Sequence, residues 1–188
     1  MEWLPNKFLQ LNKITSIKNF YIIGDFERTQ INEDIEYNYL KYINPSLGYN
    51  FPIIEFNNSF FYKLYDKFLT ESFRIFGDFS LSENNSSLCW CYRSRNNDFS
   101  SSWHDHKNTS IINAVYYYQT QDGDSISFLD TNYDEMKYNV SEGELLIFPN
   151  NLPHKPNPPV SGISDRYRYS INLEIHTNET TEEIFNRI

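Results

Sequence analysis

The spacing of apolar and polar positions changes character near Gly77. Before it, apolar residues recur at the three- and four-residue intervals that place side chains on one face of an α-helix. The clearest case is 59–76, where an apolar stripe ends at Gly77, a residue type that commonly follows the last helical turn. A second stretch, 32–43, has the same spacing, with Asn32 as its N-cap. We predict two helices here, preceded by a strand at 17–26.

Beyond Gly77 the apolar runs become short, and Gly-, Asn-, Asp- or Pro-rich turns separate them. Short runs at this regular spacing are typical of a β-sandwich or barrel. We therefore predict a mainly β fold with N-terminal helices (α+β), in which the helices pack against one sheet. The predicted strands after Gly77 are 87–93, 111–119, 125–129, 137–140, 144–148 and 167–175.

Length and charge restrict the class of protein. The chain has 188 residues and a formal net charge of −9, which fits one domain and disfavours a groove that binds nucleic acid phosphates. Cys89 and Cys91 lie two apart on a predicted strand, which suits small apolar residues of a reducing compartment. No stretch reaches the ~18 apolar residues of a membrane span, and the N-terminus lacks a signal-peptide pattern. We expect a cytoplasmic protein without a membrane partner.

Three of the four histidines lie where strands begin or end. His104 and His106 flank Asp105 just before the predicted strand 111–119, and His154 follows the predicted strand 144–148. In an extended segment, residues i and i+2 point the same way and i+1 points away. The pair can therefore reach one metal ion together with His154, and a metal site with three facial ligands leaves other positions open for reactants. Asp105 remains an alternative ligand if the backbone twists.

The last predicted strand has one polar and one apolar face. Arg168, Ser170 and Asn172 alternate with apolar residues along it. A guanidinium is well suited to bidentate binding of a carboxylate, and Ser170 would add a hydrogen bond from the same face. Arg166 shares this parity, but Arg168 directly opens the Ser-Ile-Asn run and is the preferred candidate.

From 87 to 175 the chain resembles the 2-oxoglutarate and Fe(II)-dependent oxygenases, in a variant with a His-x-His segment. The resemblance rests on several segments in the same order, whereas the N-terminal 80 or so residues match only loosely. The segments are Leu-Cys-Trp-Cys at 88–91, His-Asp-His at 104–106, Ala-Val-Tyr-Tyr at 114–117, Gly-Asp-Ser-Ile-Ser-Phe at 123–128, Glu-Gly-Glu-Leu-Leu-Ile-Phe-Pro at 142–149, Leu-Pro-His at 152–154 and Arg-Tyr-Ser-Ile-Asn at 168–172.

The resemblance implies a double-stranded β-helix, also called a jelly roll, and a single oxygenase domain. Its core would span 81–176, with 1–80 as N-terminal support and 177–188 as a tail. It also implies the cofactors: Fe(II), 2-oxoglutarate as co-substrate and dioxygen. The far carboxylate of 2-oxoglutarate would meet Arg168 with help from Ser170. The reaction would hydroxylate a substrate and release succinate and carbon dioxide.

Four further residues have two possible roles or lie at the edge of the expected site. Asn113 and Tyr117 share strand parity and would line the co-substrate cavity, or pack in the core. Trp103 would contact substrate, or cover the barrel mouth. Arg93 would lie on a basic rim near that mouth and contact substrate.

One departure from the wider superfamily affects the function. Most members have His-x-Asp or His-x-Glu, but the residue two before Asp105 is Trp103. Strand geometry favours three histidines over a triad that includes Asp105. A three-histidine iron dioxygenase of the cupin type, without 2-oxoglutarate, is thus an alternative. A non-catalytic jelly-roll binding module is another. The substrate is a small molecule or a protein side chain.

Overall fold

The computed structural model describes residues 13–21, 23–42, 59–83, 88–94, 102–107, 110–157 and 167–188. Within these ranges the chain forms an N-terminal part with two long helices and a C-terminal part made mostly of strands. The elements in order are β1 (Thr15–Ile17), α1 (Asp25–Tyr42), α2 (Ser59–Phe76), β2 (Leu88–Ser94), β3 (Ile112–Gln119), β4 (Ser125–Leu129), β5 (Glu135–Asn139), β6 (Leu145–Pro149), β7 (His154–Pro156), β8 (Arg168–Ile175) and α3 (Thr181–Phe185).

The strands form two antiparallel sheets. The larger has the order β1-β6-β3-β8-β2 and the smaller has the order β5-β4-β7. Side chains from the two sheets meet in an apolar cluster that includes Val115 and Phe148 of the large sheet and Ile126 and Phe128 of the small one. The sheets therefore pack face to face, and the space between them is the interior of the fold.

The helices cover the opposite face of the large sheet. Phe61, Leu64 and Phe68 of α2 are fully buried in a cluster with residues of β2, β3, β6 and β8. Ser72, the polar residue in this stripe, is also buried, and its hydroxyl donates to the carbonyl of Phe68 at 2.8 Å. This bond satisfies the hydroxyl inside an apolar layer. The predicted helix over 59–76 and its packing on one sheet are confirmed.

The strand β3 is buried on both of its faces. Tyr116 belongs to the helix-side cluster, whereas Tyr117 belongs to the cluster between the sheets. The same division holds along β8, where Ile171 and Leu173 face the helices. Because successive side chains of a strand alternate between faces, Arg168, Ser170, Asn172 and Glu174 face the interior between the sheets.

The N-terminal prediction was wrong in two respects. The strand is Thr15–Ile17 and not 17–26, because Asn19 adopts a positive φ of 52° that ends the extended backbone. The helix begins at Asp25 and not at Asn32, and acidic residues occupy its first turn, where they favour a helix N-terminus. Asn32 lies inside the helix, where its Oδ1 accepts from the Tyr118 hydroxyl at 2.6 Å.

Five predicted strands after Gly77 agree with the structure within one residue at each end, and the predicted 137–140 is displaced to Glu135–Asn139. Two elements were missed. β7 has only three residues, too few for a periodic pattern. The predicted tail 177–188 contains α3, whose capping box joins Thr180 and Glu183. Phe185 of α3 is fully buried, and its ring lies 4.7 Å from that of Phe76.

A buried carboxylate connects β1 to β6. Glu144 accepts hydrogen bonds from Ser16, Lys18 and Tyr138 and from the backbone of Ser141. Burial alone would raise the pKa of Glu144, but these bonds outweigh it and hold the pKa below its ordinary value.

None of the helices in the described ranges is both long and apolar enough to cross a lipid bilayer.

Candidate metal centre

The backbone brings the three histidine segments together at one end of the space between the sheets. His104 and His154 form an isolated antiparallel bridge, with N···O distances of 3.1 and 2.9 Å in the two directions. The amide of His106 donates to the carbonyl of Asn150 at 2.8 Å. Main-chain hydrogen bonds therefore set the spacing of the segments before any side chain is considered.

The three imidazoles converge. One ring nitrogen from each lies within 4.8 Å of the others, and this is the one group of three or more metal-ligating side chains found among the described residues. The ring centroids of His104 and His154 are 4.4 Å apart, and those of His106 and His154 are 5.1 Å apart. The structure thus brings together the histidines that strand parity selected.

Each imidazole is oriented through its Nδ1 atom. Nδ1 of His104 lies 2.9 Å from the carbonyl of Ser102, and Nδ1 of His154 lies 3.0 Å from the carbonyl of Leu152. Nδ1 of His106 lies 2.7 Å from Oε1 of Glu174. Since carbonyl and carboxylate oxygens only accept, each Nδ1 carries the proton and donates. The lone pair of each Nε2 is then available to a metal ion.

Electrostatics favours the neutral form that binds metals. Burial lowers the pKa of His154 well below its ordinary value, and the nearby His104 and His106 rings lower it further. Burial also lowers the pKa of His104, although the hydrogen bond that its Nδ1 donates to the Ser102 carbonyl opposes this. Neutral imidazole is the form that coordinates metals, so the lowered pKa values of His104 and His154 favour metal binding.

Asp105 points away from the cluster. Its Oδ2 lies 3.1 Å from Nζ of Lys107, and its Oδ1 accepts from the Lys107 amide at 3.3 Å. The donor set within reach of one ion is therefore three imidazoles. Imidazole suits Fe, Zn, Cu and Ni ions, so these residues fit an iron ion without being specific for it.

Two residues near the histidines were missed in the sequence. Glu174, which contacts His106, continues the polar face of β8 that Arg168, Ser170 and Asn172 begin; the alternation that identified those residues extends to it. The ring of Trp90 lies 6.0 Å from that of His106. Trp90 is opposite Asn172 in the β2–β8 register, so strand pairing would have placed it on the interior face.

Arg168 lies at the far end of the same face of β8. It is 2% exposed, and its Nη1 makes no hydrogen bond. Nη1 lies 3.7 Å from Oδ1 of Asp124, which also lacks a hydrogen bond. A buried guanidinium and a buried carboxylate at this distance leave both groups short of partners, which is unusual for buried polar atoms. A ligand with a carboxylate would satisfy Arg168.

The neighbours of Arg168 include two further predicted residues. Ser170 is opposite Tyr117 in the β3–β8 register, and Tyr117 is 3% exposed. Burial raises the pKa of the Tyr117 hydroxyl, and the positive charge of Arg168 opposes that rise. The Ser170 hydroxyl lies 3.5 Å from the Tyr92 carbonyl, which is long for a hydrogen bond. Sequence reasoning missed Asp124, which it placed in a turn.

Asn113 lies nearer the histidine end. It is opposite Glu174 in the β3–β8 register and is buried. Its Oδ1 accepts from the Ser110 hydroxyl at 2.6 Å, whereas its Nδ2 has no partner. An unused buried donor on the interior face is the second feature, after Arg168, that a bound ligand would satisfy.

The remaining predicted residues lie in different places. Trp103 is partly buried beside the histidines, and Nζ of Lys155 lies 4.5 Å from its ring centroid. The structure does not bring Arg93 to the site. The Arg93 side chain pairs with Glu36 of α1 and lies over the Tyr167 ring, on the helix side of the large sheet. The rival Arg166 lies outside the described residues.

No protein family model and no curated protein matches the sequence, but solved structures do match the fold. A prolyl-4-hydroxylase from Pseudomonas putida matches with a TM-score of 0.66 and 14% identity, over 89% of this chain and 94% of that one. A prolyl hydroxylase from Trichoplax adhaerens, in complex with a hypoxia inducible factor peptide fragment, matches with a TM-score of 0.60 and 14% identity, over 89% and 84%.

A third similar structure is a non-heme alpha-ketoglutarate-dependent carbocyclase from nogalamycin biosynthesis. It matches with a TM-score of 0.64 and 8% identity, over 86% of this chain and 78% of that one. Alpha-ketoglutarate is 2-oxoglutarate. The resemblance seen in the sequence is thus confirmed at the level of the fold: the chain has the double-stranded β-helix fold of the non-haem, 2-oxoglutarate-dependent oxygenases.

Proposed function

We propose that this protein is an Fe(II)- and 2-oxoglutarate-dependent oxygenase that hydroxylates its substrate. The observation that supports it most is the convergence of His104, His106 and His154: the Nδ1 atom of each lies against an oxygen acceptor, and each contributes one ring nitrogen that lies within 4.8 Å of those of the other two. A buried Arg168 with an unused donor lies on the interior wall of the same fold. One site for a metal ion and one for a carboxylate are the two sites that this chemistry needs.

The residues of the chain would bind, orient and shield the reactants. The three imidazoles would hold iron, Arg168 and Tyr117 would bind the far carboxylate of 2-oxoglutarate, and Asn113 would donate from its unused amide. Iron supplies the chemistry of dioxygen, in which 2-oxoglutarate is converted to succinate and carbon dioxide as the substrate is oxidised. The rings of Phe128 and Phe148 lie 6.1 and 4.8 Å from that of His154 and exclude water from that side.

The experiment is an anaerobic titration with Fe(II), then with 2-oxoglutarate, followed by absorption spectroscopy. We expect a metal-to-ligand charge-transfer band, and stoichiometric succinate when oxygen and a substrate are admitted. H154A should lose metal binding, whereas R28Q, which changes an arginine of α1 that pairs with Glu142, should keep it. Unaltered iron affinity in a folded H154A protein would refute the ligand set. Iron binding without band or succinate would refute the use of 2-oxoglutarate.

A three-histidine iron dioxygenase without 2-oxoglutarate is the second candidate. It is favoured by the neutral donor set and by Asp124, whose carboxylate already lies 3.7 Å from the guanidinium of Arg168. That negative charge opposes the far carboxylate of a dicarboxylic acid. In this case Arg168 would bind a carboxylate of the substrate itself. Oxygen uptake without succinate formation would support it, and metal binding without oxygen uptake would indicate a binding module.

Two substrate classes follow from the surroundings of the site, small molecules and protein side chains. Trp103 and Lys155 form a cation–π pair beside the histidine segments, which suits the rim of a substrate-binding mouth. One of the similar structures is a hydroxylase in complex with a peptide, so peptides belong in the screen. A W103A variant with a raised KM and an unchanged kcat would support the contact with substrate, and an unchanged KM would remove it.

A further inference from the structure

The three histidines differ in what holds their Nδ1 atoms. His104 and His154 donate to main-chain carbonyls, which are neutral. His106 donates to the carboxylate of Glu174 at 2.7 Å. Glu174 is 2% exposed, and its second oxygen lies 3.9 Å from Nε2 of His176. One imidazole of the cluster therefore has a buried negative charge directly behind it.

This difference matters because the donor set carries no charge of its own. Three neutral imidazoles around a divalent ion leave two positive charges in a site surrounded by apolar rings. A carboxylate behind a ligating imidazole fixes the orientation of the ring and makes its Nε2 a stronger donor. It also offsets part of the charge of the ion from one ring further away.

The position of the contact is also informative. His106 is two residues after His104, and Asp105 between them faces Lys107. The acidic side chain that contacts the cluster comes instead from β8, through its interior face. The negative charge therefore comes from a strand of the large sheet and not from the segment that carries His104 and His106.

We propose that Glu174 is a positioning residue of the metal centre. It holds His106 with Nε2 towards the ion and supplies the negative charge that three imidazoles lack. This inference rests on the proposed metal site and adds to it a reason why a site without a carboxylate ligand would bind a divalent cation.

The test is an anaerobic titration with Co(II) against a competing chelator, on wild type, E174Q and a matched control, E144Q. Glutamine keeps the shape of the side chain and an oxygen that accepts from Nδ1, but it removes the charge. We expect E174Q to bind Co(II) about 10- to 100-fold more weakly than wild type. E144Q removes a buried carboxylate that is bonded to Lys18 and Ser16, and it should leave the affinity unchanged.

A second comparison, made in the H106D variant, distinguishes a role of Glu174 at the metal site from support of the fold. In H106D a carboxylate replaces the imidazole, so Glu174 no longer has a ring to orient and the donor set has a negative charge of its own. In that background E174Q should cost little Co(II) affinity. An equal loss in both backgrounds would show that Glu174 does not act through His106 and would overturn the proposal. If E174Q alone does not fold, judged by its thermal transition, the comparison of H106D with H106D/E174Q decides.

The outcomes also separate this inference from the proposed function. Wild-type protein that binds Co(II), with E174Q equal to it, would overturn the role of Glu174 and leave the metal site in place. Wild-type protein that binds neither Co(II) nor Fe(II) would overturn both. Weaker binding in E174Q that is absent in the H106D background would support the proposal.

Discussion

Replacing Arg168 with methionine separates ligand binding from stability at the inner end of the site. Methionine keeps the length of the side chain and removes the guanidinium. Hydrogen bonds to charged groups contribute about 1.5–3 kcal/mol, so R168M should bind 2-oxoglutarate about 10- to 150-fold more weakly. Titration of the charge-transfer band in the anaerobic iron-loaded protein measures this. R28Q changes a half-buried arginine of α1 that pairs with Glu142, and its affinity should equal that of wild type.

The same substitution leaves the buried carboxylate of Asp124 without its cationic neighbour. Asp124 is fully buried and lies 3.7 Å from Arg168, so R168M leaves its carboxylate without the guanidinium. Removing one partner of a buried pair costs 3–5 kcal/mol; since this pair is not hydrogen-bonded, we expect a value near the lower end, about 3 kcal/mol. The double variant R168M/D124N should recover stability in urea unfolding but not 2-oxoglutarate affinity. D124N alone should bind 2-oxoglutarate at least as tightly as wild type. Wild-type affinity in R168M would refute the assignment.

Three further predictions concern other parts of the molecule. Because folding lowers the pKa of Glu144, the ionised carboxylate stabilises the fold fully above its ordinary pKa, and this stabilisation is lost as the pH falls through the folded-state pKa. E144Q should therefore flatten the acid side of a plot of the urea unfolding midpoint against pH. An unchanged plot would contradict this. F185A should cost about 3–5 kcal/mol in urea unfolding, because Phe185 is buried against Phe76, and a loss near zero would show that α3 does not stabilise the fold. D105N should leave Co(II) affinity unchanged, since this carboxylate faces Lys107; weaker binding would restore Asp105 as a ligand.

The spacing of apolar residues in the sequence predicted the helices and strands that bury a continuous apolar face. The helix α2 and most strands after Gly77 agree with their apolar spacing because each buries one clear face, or two in β3. The same alternation placed His104 and His106 on one side of the chain, with Asp105 on the other. Where the direction of a side chain depends on the local backbone alone, the sequence is enough to predict which face it lies on.

The errors occur where structure depends on distant contacts. The Phe-Tyr-Ile-Ile run after Ser16 looks like a strand, but Asn19 turns the backbone and Phe20 is buried against α2 and β3. β7 is a strand because β4 pairs with it, which no periodicity within three residues can indicate. Asp124 became visible as a site residue only through its contact with Arg168, which is remote in sequence.

The bridge between His104 and His154 has a consequence for how this centre can change. Because main-chain bonds hold the two segments together, the separation of the ligand-bearing backbones does not depend on which side chains they carry. A substitution at 104, 106 or 154 therefore exchanges one donor atom for another within a frame that stays the same. A few substitutions at these positions can therefore change the metal selectivity, and with it the chemistry, while the backbone of the fold stays the same.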